Sequence, residues 1–138
     1  MDRYIYPAVF EKGEVKGYVV SFPDLPGCIT EGETLGEALK MAKEALELHL
    51  YGLEEDGDDI SNPTLPENIH IEEEGAFISL IEAWMPLVRD EMENKAIKKT
   101  LTLPKWLNDI AEQKQVNFSQ ILQTALKNYL GINEYRNR

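Results

Sequence analysis

The chain has 138 residues, 43% hydrophobic and 28% charged, with a net charge of −11. That length holds one ordinary domain or two small ones, no apolar run approaches the roughly 20 residues of a membrane helix, and the opening Met1-Asp2-Arg3-Tyr4 lacks the basic-then-apolar pattern of an export signal. A single cysteine, Cys28, excludes an internal disulfide and fits a reducing compartment, so a cytoplasmic protein with no membrane association is expected.

Residues 3–11 are aromatic and β-branched and read as a strand, in which Pro7, lacking an N–H, favours an edge or a bulge. After the turn at 11–14, residues 16–22 form a second strand. Pro23-Asp24-Leu25-Pro26-Gly27 is a rigid turn into a short third strand over 28–33. Thr34, with Glu37 three residues on, is a capping box. Leu35, Ala38, Leu39, Ala42, Leu46, Leu50 and Leu53 then recur at helical spacing, and the helix is expected to stop near Gly52 or just beyond it. Residues 54–75 read as a long, mobile polar loop. Residues 76–85 read as a fourth strand, apolar enough to be buried on both faces. The expected fold class is α+β, with three to four strands and one helix over residues 1–85. Residues 86–94 are charged, without clear periodicity, and read as a linker.

Residues 95–138 differ in charge from what precedes them. Residues 1–94 carry 22 acidic and 6 basic side chains, a net of −16, whereas residues 95–138 carry 3 and 8, a net of +5. Such asymmetry suggests two functions, the basic end approaching phosphates that the acidic body repels. Alternation over 96–103 places Lys98, Thr100 and Thr102 on one face of a strand and Lys99, Leu101 and Leu103 on the other. Pro104 suits the first turn of a short helix bearing Leu107, Ile110 and Ala111. Asn117, with Gln120, caps a second helix in which Phe118, Ile121, Leu122, Ala125, Leu126, Tyr129 and Leu130 follow the i, i+3, i+4, i+7 pattern to Gly131. Strand, helix and helix in about 36 residues cannot bury their own apolar faces, and with no disulfide or metal on offer, oligomerisation remains.

This C-terminal pattern resembles the ribbon-helix-helix family of repressors, typified by Arc and MetJ, over residues 96–131. The resemblance implies a homodimer, with further pairing into tetramers left open, whose shared core is Leu101, Leu103, Ile121, Leu122, Ala125 and Leu126. Its two-stranded ribbon would enter the major groove of operator DNA. Lys98, Thr100 and Thr102 would contact base edges, and the start of the second helix, at Asn117, Phe118 and Ser119, would hold a phosphate. The ribbon departs from the family in using threonines where Arg, Asn or Gln are common, and in placing Lys99 on the inner face. A helix-turn-helix and a dimerisation module that binds no DNA are the alternatives.

The run Phe22-Pro23-Asp24-Leu25-Pro26-Gly27-Cys28, then Thr30-Glu31-Gly32-Glu33-Thr34 and Glu37-Ala38-Leu39, resembles the HicB antitoxin family over residues 3–85. The resemblance implies a degenerate RNase H-like fold that binds and neutralises a HicA-type, mRNA-cleaving toxin, and a C-terminal module that represses the shared operon. The acidic residues Glu31, Glu33, Glu54, Glu55, Asp56, Asp58 and Asp59 are the candidates for facing a basic toxin.

Two other readings stand beside this one. A working RNase H-like nuclease needs several carboxylates converging on two metals. The first strand offers none between Arg3 and Glu11, Asp24 lies in a turn, and Glu44 and Glu47 sit on the outer helix face, so no catalysis is expected. Cys28 has no local base, and His49 and His70 are isolated, so no metal or cofactor is expected either. A stand-alone repressor whose N-terminal domain senses a small molecule is the remaining alternative.

Overall fold

A computed structural model describes residues 1–132. They divide into two compact units, Met1–Ala96 and the portion beginning at Ile97. The expected module over 95–138 therefore extends in its last six positions beyond the described residues.

The first unit is a four-stranded antiparallel sheet crossed by a long helix. Its strands are β1 (Arg3–Lys12), β2 (Tyr18–Ser21), β3 (Ile29–Gly32) and β4 (Phe77–Trp84), in the order β3-β2-β1-β4. Helix α1 (Leu35–Asp56) packs on one face. The core there joins Tyr6, Ala8 and Phe10 of β1, Val20 of β2, and Ile81 and Ala83 of β4 to Ala38, Ala42, Leu46 and Leu50 of α1. These helix positions form an i, i+4 row, and the small Ala38 and Ala42 let the helix approach the sheet closely. Leu35 and Leu39, expected on the same face, are exposed on its flank.

Pro7 sits in a central strand without breaking it. β1 pairs with β2 only over Val9–Lys12, so at Pro7 its one ladder neighbour is Leu80 of β4. Locally this is an edge, which is where a residue without an N–H fits. The turn after Phe22 closes through Leu25 N–H to Phe22 O and Cys28 N–H to Leu25 O, both 3.0 Å, and buries Leu25. Cys28 is buried as well, its Sγ 3.6 Å from Ala45 O, and burial pushes the thiol up to about 11. That environment suits an inert core thiol.

Four expectations are corrected. First, α1 runs past Gly52 to Asp56, because Leu50 and Leu53 still find the core, and it ends where Gly57 takes φ 70°. Second, the segment after it is tied down. Thr64 donates to Asp24 from its N–H (2.9 Å) and its hydroxyl (2.5 Å), and Tyr6 Oη donates to Ser61 O. Third, β4 is buried on one face only: Ile81 and Ala83 point inward, while Leu80, Glu82 and Trp84 are exposed. Fourth, the linker expected over 86–94 is a helix, α2 (Met85–Glu93), with Pro86 in its first turn and Met85 and Val88 buried.

Arg89 of α2 anchors that helix. Its guanidinium donates to both Glu54 carboxylate oxygens (3.0 and 2.7 Å), to Asp2 (2.6 Å) and to Met1 O (2.7 Å). Three acidic residues crowd the C-terminal turn of α1, where the helix dipole disfavours them, and Arg89 offsets this. Its hydrogen bonds hold the Glu54 carboxyl below its ordinary value of 4.5. A depressed carboxylate contributes stability at neutral pH that is lost as pH falls through the folded-state value. Glu54→Gln should accordingly be less stable than wild type at pH 7, and the gap should narrow as pH falls through the lowered Glu54 value into the acid range. Thermal melts of the two proteins at pH 7 and in the acid range check this, and a gap independent of pH would refute the role given to Arg89.

The second unit holds α3 (Lys105–Gln113) and α4 (Phe118–Leu130). Gln115 joins them at φ 54°, and Asn117 Oδ1 accepts from Gln120 N–H at 3.0 Å to cap α4. No strand forms over 96–103, where one was expected. A ribbon strand needs a second strand to complete its hydrogen bonds, and a single chain supplies none among the described residues.

Candidate functional site

The second unit leaves its apolar side uncovered. None of the residues in α3 and α4 is buried. An apolar groove is lined by Leu101, Leu103, Leu107, Phe118, Ile121 and Leu122, and also by Lys99 and Ala125. Lys99, Leu101 and Leu103 are among the residues that line the groove and Lys98, Thr100 and Thr102 are not, although all six positions are exposed. Of the six expected core residues, five line the groove. Leu126 does not, and is exposed.

Val116 also lines this groove and was missed by the sequence reading. It precedes the N-cap Asn117, and Ile121 is the fourth helical residue after that cap, so the two match the spacing of a hydrophobic staple. At the start of α4, Phe118 and Ser119 also line the groove.

In the first unit the expected acidic residues fall into two places. Glu31, on β3, and Glu33, just after it, border a shallow depression that Glu14 and Glu37 also line, and Lys16 reaches Glu33 at 3.4 Å. Glu54, Glu55 and Asp56 end α1, with Asp58 and Asp59 exposed after it. Glu54 is already paired with Arg89. The signal that could have revealed this contact is the apolar spacing Met85, Val88, Met92, which marks a helix through the supposed linker.

The outward face of the sheet is the other feature of this unit. Helices cover only the inner side. On the outer side the register aligns Ile29 with Ser21, Val9 with Ile78, Pro7 with Leu80, Ile5 with Glu82, and Arg3 with Trp84. Arg3 and Glu82 form an ion pair across it. Among the described residues no three His, Cys, Asp or Glu side chains gather as a metal site, and no helix is long and apolar enough to cross a membrane.

Comparison with known proteins adds to this geometry. The family profile described as HicB_like antitoxin of bacterial toxin-antitoxin system matches residues 6–125. An uncharacterised 14.9 kDa protein of the rep-hol intergenic region of Haemophilus phage HP1 is 38% identical over 102 residues, which are 72% of this chain and 73% of that protein. The antitoxin HicB of Escherichia coli K12 is 40% identical over 65 residues, 47% of this chain and 46% of that protein. Among solved structures, a chain of a toxin-antitoxin complex from Streptococcus pneumoniae superposes with a TM-score of 0.59 at 27% identity, covering 92% of this chain and 99% of that one.

Proposed function

Starting from the fact that the chain belongs to the HicB-like antitoxins of bacterial toxin–antitoxin systems, we propose that it binds and neutralises a HicA-type, mRNA-cleaving toxin and represses its own operon through its C-terminal unit. The observation that carries the DNA-binding half is the apolar groove on a basic unit with no buried helix residue. A second copy of the chain covers that groove. Residues 96–103 of the two copies pair as an antiparallel ribbon and complete the hydrogen bonds that one chain leaves open. Leu101, Leu103, Ile121, Leu122 and Ala125 form the shared core, with Leu126 at its edge.

In this dimer Lys98, Thr100 and Thr102 project from the ribbon into the major groove, and the N–H groups at Asn117, Phe118 and Ser119 hold a phosphate. The first unit is a degenerate RNase H-like fold whose acids, Glu31 and Glu33 at one place and Glu55, Asp56, Asp58 and Asp59 at another, attract the RNA-binding surface of the toxin. Glu54 serves this surface less, because Arg89 neutralises it.

The test of the DNA half is the triple variant Lys98→Ala, Thr100→Ala, Thr102→Ala. Each lost base contact costs roughly 1 kcal/mol or more, so affinity for the promoter DNA should fall about a hundredfold. All three side chains are exposed, so dimer mass and thermal stability should stay as in wild type. Unchanged retardation of promoter DNA by a folded, dimeric triple variant overturns the ribbon assignment. The antitoxin half is tested by co-purification with the protein encoded in the neighbouring reading frame.

A further inference from the structure

α2 is the last element of the first unit, and beyond its first residue its hold on the core is slight. Met85 is fully buried, and its N–H donates to Asp2 O at 2.7 Å. After it only Val88 is buried, with Met92 packed partly against the core. A helix of nine residues does not persist by itself in water. Charge opposes its docking as well. α2 carries Asp90, Glu91 and Glu93, with Arg89 as its one cation, and it meets the last turn of α1, which holds Glu54, Glu55 and Asp56 and no cation. Arg89 answers this repulsion by binding Glu54, Asp2 and Met1 O together.

Whether α2 is docked sets the length of the tether to the second unit. With α2 in place, residues 94–96 alone lie between its end and Ile97, where the second unit begins. Fully extended, they span about 10 Å. With 86–93 released, the tether is 86–96 and reaches up to about 37 Å. The released stretch is almost neutral, with Arg89 and Lys95 against Asp90, Glu91 and Glu93. Residues 1–85, by contrast, carry 19 acidic and 5 basic side chains, a net of −14. Charges are screened beyond roughly 8–10 Å at moderate salt. A short tether therefore ties the acidic body within about one screening length of a segment that approaches phosphates, and a long one frees it.

We propose that α2 is a latch on DNA binding: docked by Arg89, it keeps the tether short and weakens operator binding by charge repulsion, and released, it becomes a near-neutral spacer that relieves the repulsion. Arg89 acts as a positioning residue, with no contact to DNA of its own. The proposal rests on the operator-binding reading of the second unit.

The experiment compares the full chain with its Arg89→Ala variant, using a fluorescent duplex of the promoter of its own operon. Hydrogen exchange should show the amides of 86–93 losing protection in the variant while those of α1 keep theirs. Anisotropy titrations should give about tenfold tighter binding by the variant at about 50 mM salt, with the gap narrowing by about 200 mM. The plot of log affinity against log salt should be steeper for the variant, because salt no longer relieves a repulsion. The direction is diagnostic. The substitution removes a positive charge and loosens the fold, and without a latch both would weaken binding. A wild-type chain that does not bind the duplex overturns the operator reading itself. With wild-type binding established, α2 amides that exchange in the variant as in wild type overturn the role of Arg89. Affinity unchanged or weakened while α2 is released overturns the latch. If Arg89→Ala unfolds the whole first unit, Glu91→Pro, which breaks α2 at an exposed position, takes its place with the same expected results.

Discussion

Leu122→Asp is expected to abolish dimerisation through the C-terminal unit and operator binding in one step. Leu122 lines the groove together with Leu101, Leu103 and Ile121, on a unit that buries nothing in α3 or α4 by itself. In the dimer the substitution buries an unpaired carboxylate once in each copy, at several kcal/mol apiece. A loss of only about 4 kcal/mol weakens the dimer roughly a thousandfold. Light scattering should then report a smaller particle, reaching a single chain of 15.8 kDa if the first unit does not associate on its own. DNA binding should vanish with the dimer, since one ribbon strand cannot form the two-stranded reading element. Circular dichroism should keep the signature of the first unit, whose core contains no residue beyond Val88. A wild-type mass with DNA binding intact would remove Leu122 from the interface.

Gly32→Ala is expected to cost the first unit most of its stability. Gly32 ends β3 where α1 crosses it, and a Cβ there would lie 2.4 Å from Ala38 N and 2.7 Å from Ala38 Cα. Those are backbone atoms held by the helix, so the strand and α1 must part. Separating them opens the contact between β3 and the row Ala38, Ala42, Leu46, Leu50, and overpacking of this kind costs about 3 kcal/mol or more. For a unit of this size that lowers the melting temperature by roughly 12 °C or more. Gly52→Ala is the control. Its Cβ meets nothing within 4 Å and it lies inside α1, so it should stabilise by about 1 kcal/mol. Equal melting temperatures for the two variants would show that the close approach at Gly32 is not what holds β3 to the helix.

Much of the first unit is legible without a structure because its signals are local. The Thr34 cap, the Pro23–Gly27 turn and the row Ala38, Ala42, Leu46, Leu50 depend on neighbours a few residues away, and each appears where the pattern places it. The same holds for Asn117 and Gly131 at the ends of α4. The end of α1 is misread because Gly52 weakens a helix only by propensity, and burial of Leu50 and Leu53 outweighs it.

What the sequence determined by itself is the strand and helix pattern of an acidic domain, the basic amphipathic unit after it, and the residues that give the family resemblance. Periodicity, caps and net charge carry these, and all are properties of short segments or of sums. Only the tertiary structure decided that residues 85–93 are a docked helix, that Glu54 belongs to Arg89, and that Leu80 and Trp84 lie open beside Ile5. Each of these depends on partners some 35 to 80 positions away in the chain, as Arg89 is from Glu54 and Trp84 from Arg3. A near-continuous apolar strand reads the same whether one face or both are buried. The distinction is made by where α1 packs, and α1 covers one face of β4 and leaves Leu80 and Trp84 on the other exposed.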